Sequence, residues 1–445
     1  MSKNTDFSEN PLSFLSRRDF VKFLAAGTAL SAAALTEANA SVYQSITQLN
    51  EKHIRDEAPD GLYWDSIQRH FLFEDGVVMM NNGTVGPMPK PVFNTLIKTF
   101  KVQVTNPFDT YNYIPRKREE VRRKLAAFIG ASPGEVVMTR NTTEGLNFII
   151  NGLDMKEGEE AILSTMEHPG GTNPWGLKAA RCGVKIVTVP IGLPPKSVDE
   201  FVGGFEKAIT PHTKIITISH TVFISGLISP LKELCAMAHA RGIPVLADSA
   251  HGIGMLDLNM KDLGVDFFAT SPYKWMGAPC GIGVLYIKKD WHDKIWPTIA
   301  SSGWDTHTDA LKFETLSQRA DAIMVALGEA LDFQDYIGKT RIEKRIKALS
   351  AYLKQELKKI PGVRLHTSEN PYISGGLTAF SVQGVDHDAI VDFVRQRDNI
   401  VVRIVGNVEQ GTHGIRVSTP IYINYSNIDT LVDGIKTLVS HCRDA

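Results

Sequence analysis

The chain has 445 residues, 43% of them hydrophobic and 22% charged, with a formal net charge of -1. That is enough apolar material for two domains with cores of their own, and it excludes a broadly basic surface for nucleic acid or anionic membranes. The four cysteines, Cys182, Cys235, Cys280 and Cys442, are far apart and form neither a CxxC pair nor a metal-ligand cluster, and neither a structural metal nor a disulfide framework is expected.

In chain order, SRRDFVK (Ser16 to Lys22) precedes the alanine-rich FLAAGTALSAAAL and then Ala38, Asn39 and Ala40, an AxA pattern. With Arg17 and Arg18 as the pair, this order resembles a twin-arginine export signal. It implies carriage by the twin-arginine translocase, a periplasmic location and a mature chain beginning near Ser41. The competing reading is an ordinary amphipathic N-terminal helix. The apolar run is too short and too rich in alanine for a permanent membrane span. Residues 41–75 read as a polar helical arm, 76–300 as a large domain and 301–445 as a smaller one.

After the arm, VVMMNNGTVGPMP starts as a strand and breaks at Asn81, Asn82 and Gly83, with Gly86, Pro87 and Pro89 preventing regular structure. A loop this stiff suits the wall of a site, with Asn82 a candidate substrate contact; it suits a plain connection equally well. From Glu135 onward, apolar runs alternate with helical stretches: EVVMTR, AILST, KIVTVP, KIITIS, PVLAD, DFFAT and GVLYI. This pattern predicts an α/β fold built on a mainly parallel seven-stranded sheet with helices on both faces. Beyond Ala320, long helices, short strands at LTAFSV and IVVRIV and a closing helix at IDTLVDGIKTLVSHC predict a smaller α+β C-terminal domain.

Val245 to Ala247 delivers Asp248 to one strand end, and Phe267 to Thr270 delivers Ser271, Tyr273 and Lys274 to another. Open α/β sheets bind ligands at that edge. An acid and a lysine converging there suit pyridoxal 5'-phosphate: the lysine bonds the aldehyde, and the carboxylate keeps the pyridine nitrogen protonated. Taken singly, each is more simply a helix cap and a surface lysine. In the turn NTTEG, Thr142 and Thr143 open a helix and are candidates for a phosphate cup together with Ser271 and Tyr273; alone they would be N-caps. His168 follows AILST directly and reaches the same edge, a place from which an imidazole can stack on a ring.

TTEGLN, MEHPGGTNPW, ADSAH, SPYKW and GIRVSTPIYIN, in that order, resemble the class V aminotransferase family of fold-type I pyridoxal phosphate enzymes. That family includes cysteine desulfurases, isopenicillin N epimerase-like proteins and kynureninase. The resemblance implies Lys274 as the cofactor-bonding lysine, Asp248 as partner of the pyridine nitrogen and His168 as the stacking residue. It also implies His251 near the ring hydroxyl, Thr142, Thr143, Ser271 and Tyr273 around the phosphate, and Arg416 on the substrate carboxylate, where a planar guanidinium offers two parallel bonds. The alternation around Arg416 leaves either strand face open. Arg403 is a second candidate, for a distal substrate group or a surface ion pair. The resemblance further implies a homodimer, the usual state of family members, and the same is expected here.

Departures bear on the reaction. RIVGNVEQGTHGIR, where desulfurases carry their sulfur-accepting cysteine, has none, which argues against desulfuration by that route. Phe223 replaces an asparagine that contacts the cofactor in desulfurases, and Ser317 stands where relatives have a threonine that reaches the partner's phosphate. The expected function is a pyridoxal phosphate enzyme acting on an amino acid or another amino-bearing metabolite, first as an aminotransferase. The alternatives are an isopenicillin N epimerase-like epimerase or racemase, a lyase, and, outside catalysis, a binding module. No metal is expected.

Overall fold

In the computed structural model, which describes residues 32–54, 60–406 and 413–444, the first elements are helices α1 (Ala32–Ile54) and α2 (Asp60–Gln68). Arg17 and Arg18 lie outside the described residues. Helix α1 runs unbroken across Ala38, Asn39 and Ala40, and Asn39 Nδ2 donates to the Pro91 carbonyl, Thr95 Oγ1 and Glu329 Oε1, each at 3.2 Å. Ile46, Tyr63, Trp64 and Ile67 are buried in the same apolar cluster as Phe71 and Phe333. The stretch read from its polarity as an arm is therefore anchored on the body.

Strand β1 (Val78–Met79) leads through an irregular loop to α3 (Lys90–Thr105) and α4 (Pro107–Ile129). The central sheet follows: β2 (Val136–Thr139), β3 (Glu160–Ser164), β4 (Lys185–Val189), β5 (Thr213–Ser219), β6 (Val245–Ser249), β7 (Phe267–Thr270) and β8 (Gly283–Ile287). Its helices are α5 (Thr142–Gly152), α6 (Pro169–Cys182), α7 (Val198–Ala208), α8 (Leu231–His239), α9 (Met260–Leu263) and α10 (Pro272–Trp275). The seven strands lie in the order β2-β8-β7-β6-β5-β3-β4, with β8 antiparallel to both neighbours and the other pairings parallel.

Except in the exposed edge strand β4, alternate residues of the strands enter different apolar clusters. Val137, Leu246 and Phe267 join Leu146 and Ile149 of α5 on one face; Met138, Val245 and Phe268 meet the other helical layer. Burial on both faces is why these strands read as continuous apolar runs in the sequence.

The C-terminal part comprises α11 (Asp321–Ile337), α12 (Lys339–Leu357), β9 (Val363–Leu365), β10 (Leu377–Val382), α13 (His387–Asp398), β11 (Ile400–Val401), β12 (Arg403–Val405), β13 (Gly414–Ser418) and α14 (Tyr425–Asp444). Its antiparallel sheet has the order β12-β13-β10-β9. Strand β1 pairs with β11, and Met80 is held by Val401 O (3.0 Å) and by Ser418 N (2.8 Å). The loop after β1 is thus stretched from the C-terminal strands to the edge of the central sheet, where Gly86 N donates to Tyr273 O at 3.0 Å. Among the described residues no helix is long and apolar enough to cross a membrane.

Candidate active site

Five strand ends of the central sheet meet at one cavity, that of β5 through Ser219 and the residues after it. Strand β6 places Asp248 there, β7 with the short α10 places Ser271, Tyr273 and Lys274, the β2–α5 turn places Thr142 and Thr143, and the residue after the β3 turn is His168. Every cofactor candidate read from the sequence lines this cavity, His251 included.

The cap of α5 is Asn141, whose Oδ1 accepts from Glu144 N at 2.9 Å. The threonines next to it are therefore not needed as caps. Thr142 Oγ1 instead lies 2.7 Å from Ser271 Oγ, which also accepts from Thr142 N at 3.3 Å, joining residues 129 apart at the start of a helix. Free backbone N–H groups and hydroxyls at such a start suit a phosphate.

At the other end of the cavity the charges are shaped by burial. Asp248 is pushed up from the ordinary carboxylate range by burial, against the Ala250 N–H at 3.1 Å and the Lys274 charge, both of which pull it down. Lys274 is lowered to about 8, mainly by burial and then by the nearby arginines, while Asp248 opposes the shift. Burial, Lys274 and Arg416 also hold His251 well below the usual imidazole value, and Trp275 Nε1 donates to its Nδ1 at 3.3 Å. Its proton therefore sits on Nε2, and the ring is a neutral donor. His168 accepts from Gly170 N at 3.0 Å through Nδ1, packs edge-on against Phe223 and is likewise lowered, by burial first.

A second cavity adjoins the first and shares His168, Phe223, His251 and Lys274 with it; Gly83, Arg403 and Arg416 form its far side. Arg416 is 2% exposed. It donates to the Phe223 carbonyl at 2.8 Å and to Asn81 Oδ1 at 3.3 Å, and burial followed by the Arg403 charge lowers it to about 10. Gly83 is required here, because a Cβ at that position would fall 2.4 Å from the Arg416 guanidinium carbon. The face of β13 that the sequence leaves open is thus the cavity face.

Asn82 departs from its expected place. Its side-chain amide donates to Lys274 O at 3.0 Å and its oxygen accepts from the Tyr422 hydroxyl, so it holds the Lys274 backbone, and the cavity wall is formed by Gly83. Phe223 lines both cavities and presents its carbonyl to Arg416.

Sequence reasoning missed two groups. Glu167 is buried between Ser164 and Ser219, whose hydroxyls donate to it, Ser219 at 2.6 Å; burial raises it to about 7. Thr221 lines the first cavity with a buried hydroxyl that has no partner. The only signal for Glu167 is its place beside His168, and Thr221 carries none.

These residues fit pyridoxal 5'-phosphate: an amine for its aldehyde, a buried carboxylate for its ring nitrogen, a neutral N–H donor, a hydroxyl-lined helix start, and an unpartnered Thr221 hydroxyl that calls for a polar ligand.

The family model for aminotransferase class-V matches residues 80–431, and the chain belongs to that family. Isopenicillin N epimerase of Streptomyces clavuligerus is 28% identical over 394 residues, which are 84% of this chain and 98% of that protein. A probable cysteine desulfurase of Halalkalibacterium halodurans is 31% identical over 340 residues, covering 72% of this chain and 81% of that protein. In fold, the chain resembles the cysteine desulfurase of Thermococcus onnurineus (TM-score 0.77, 22% identity, 85% of this chain and 98% of that one) and a cysteine desulfurase of Escherichia coli (0.76, 24%, 85% and 98%). The architecture is that of fold-type I pyridoxal phosphate enzymes.

Proposed function

We propose that the chain is a pyridoxal 5'-phosphate enzyme acting on the amino group of an amino acid or a related metabolite, with transamination as its reaction. The observation that carries this reading is the single cavity joining Lys274, Asp248 and the Thr142–Ser271 pair, open to the cavity of Arg416. Bound there, the cofactor supplies an aldehyde for the amino group and a ring that accepts electrons from a broken bond at the substrate's α-carbon.

The chain's own groups divide the remaining work. Arg416 takes the carboxylate next to the amine and orients the α-carbon. Lys274, lowered to about 8, is substantially neutral in mildly alkaline solution and moves a proton at its Nζ. Asp248 would hold the proton of the cofactor's pyridine nitrogen, a cation that would favour its ionised form inside the protein. Transamination needs one proton carrier on one face of the substrate, which Lys274 provides.

Epimerisation is the second reading, favoured by the isopenicillin N epimerase of Streptomyces clavuligerus, almost all of whose length this chain covers. It requires a proton carrier opposite Lys274, for which His168 is the candidate. Desulfuration through a cysteine between Arg403 and Arg416 is not available, because that stretch contains none.

A panel of amino acids offered with an oxo acid acceptor separates the readings. Formation of the matching oxo acid supports transamination; loss of optical activity without oxo acid supports epimerisation. Neither change with any amino donor, at full cofactor loading, would favour a binding module.

The order of Arg17, Arg18 and the AxA pattern supports export to the periplasm by the twin-arginine translocase; replacing both arginines with lysine is expected to keep the chain in the cytoplasm. An apolar cleft beside Tyr273, lined by Ile282, Ile299, Leu316, Ile323 and Met324, and the 64% exposed Trp296 support a homodimer. Sedimentation is expected to give twice the 49.1 kDa chain mass.

A further inference from the structure

Strands β12 and β13 set Arg403 opposite Arg416 in antiparallel register, so both side chains project from one face of the small sheet. Both line the same cavity, of about 230 Å³, with Lys274 on its opposite side. Both reach one hydroxyl, that of Thr84: Arg403 Nη1 at 2.9 Å and Arg416 Nη2 at 3.5 Å. The hydrogen bonds of Arg416 to Phe223 and Asn81, and of both arginines to Thr84, all end on neutral oxygens. Among the described residues no aspartate or glutamate lines this cavity, and neither guanidinium has an ion pair.

Elsewhere the same chain neutralises two converging arginines with carboxylates. Arg122 and Arg319 converge on Glu314, at 2.6 and 3.1 Å, and Arg122 has a second carboxylate, Glu119, at 3.1 Å. Two guanidiniums there are matched by two carboxylates. Arg403 and Arg416 repel each other and, among the described residues, meet no carboxylate; held by neutral oxygens alone, they raise the free energy of the empty cavity and leave its positive charge to be matched by anions.

We propose that the substrate carries two anionic groups, an α-carboxylate held by Arg416 and a second carboxylate held by Arg403, as in an amino acid whose side chain ends in a carboxylate. The proposal rests on the reading of this cavity as the substrate site of a pyridoxal phosphate enzyme, and it adds the substrate class. Arg416 lies deep and Arg403 at the exposed rim, so the α-carbon faces Lys274 and the side-chain carboxylate points outward.

The test uses ligands that lack an amino group and so occupy the arginines without reacting. The cofactor-loaded protein is titrated calorimetrically with succinate and glutarate and with the monocarboxylates butyrate and valerate. The dicarboxylates are expected to bind about tenfold tighter, the effect of one added charge-assisted pairing. Arg403→Gln is expected to remove that advantage while leaving monocarboxylate binding within about twofold. Equal affinities in the unaltered protein would overturn the proposal. So would an Arg403→Gln variant that weakens both classes by one factor, because a single carboxylate would then be shared by the two arginines. Arg403→Lys keeps the charge without the fork and is expected to fall between; it carries the test if Arg403→Gln does not fold. Failure of the cofactor reading is visible separately, as a protein that retains no pyridoxal phosphate yet still binds dicarboxylates.

Discussion

The side-chain amide of Asn82 donates to the backbone carbonyl of Lys274 at 3.0 Å, joining residues 192 apart in the chain. The lysine's own backbone is thereby fixed from the loop that also packs against Arg416. Asn82→Ala would leave the Lys274 carbonyl and the buried Tyr422 hydroxyl without partners, at a cost of about 1–3 kcal/mol. Urea unfolding is expected to show that loss, with weaker cofactor retention. Gly86→Ala should be worse, because its Cβ would fall 2.1 Å from the same carbonyl oxygen. An unchanged unfolding midpoint for both would contradict this role.

Gly83→Ala separates substrate binding from cofactor binding. The added methyl would meet the Arg416 guanidinium carbon at 2.4 Å and must displace it. Substrate affinity is expected to fall about tenfold or more, as misplacement of an orienting group does. Cofactor content, measured by absorbance, is expected to stay at its original level.

Lys274 gives the cofactor-free protein a pH dependence of known sign. Its folded value is lowered from 10.5 to about 8, so between those values the unfolded chain binds more protons than the folded one. Stability therefore rises with pH across that window through this residue. Lys274→Met is expected to stabilise the cofactor-free protein near pH 7 and to flatten the rise between about pH 8 and 10, measured as unfolding free energy against pH. A variant with the original slope would contradict the burial of this amine.

Glu167 acts in the opposite direction. Burial raises it from 4.5 to about 7, so the folded state binds the extra proton, and stability present below pH 4.5 is lost as pH rises toward 7. Glu167→Gln keeps the shape, and its unfolding free energy is expected to be flatter between those values. Parallel profiles for the two proteins would show that the carboxyl does not titrate there.

Asn39 ties α1 to the body through Pro91, Thr95 and Glu329. A chain beginning at Ser41 loses those bonds, and its melting temperature is expected to fall by about 2 °C or more relative to one beginning at Ala32. Equal melting temperatures would show that the first turns of α1 add nothing to stability.

The central sheet was legible because strands buried on both faces appear as unbroken apolar runs, and the ends of those runs marked Asp248 and Lys274. Thr142 and Ser271 were legible as candidates, but their contact was not, since 129 residues separate them. Asn82 shows the limit more sharply. The sequence places it in a stiff loop near the site, yet its partners, Lys274 O and Tyr422, are set by tertiary packing that no local pattern encodes. Within residues 41–75, read as a helical arm, Ile46, Tyr63, Trp64 and Ile67 are few among polar neighbours, and their burial where α1 and α2 lie against the body is likewise set by tertiary packing.

Whether Lys274 bonds pyridoxal 5'-phosphate decides the function proposed for this cavity. The most direct measurement is to incubate the purified protein with the cofactor, reduce it with borohydride, digest it and weigh the peptides. One pyridoxyl adduct per chain is expected, on the peptide containing Tyr273 and Lys274, and none in Lys274→Ala. Absence of the adduct after incubation, or its appearance on another lysine with Lys274 unmodified, would contradict it.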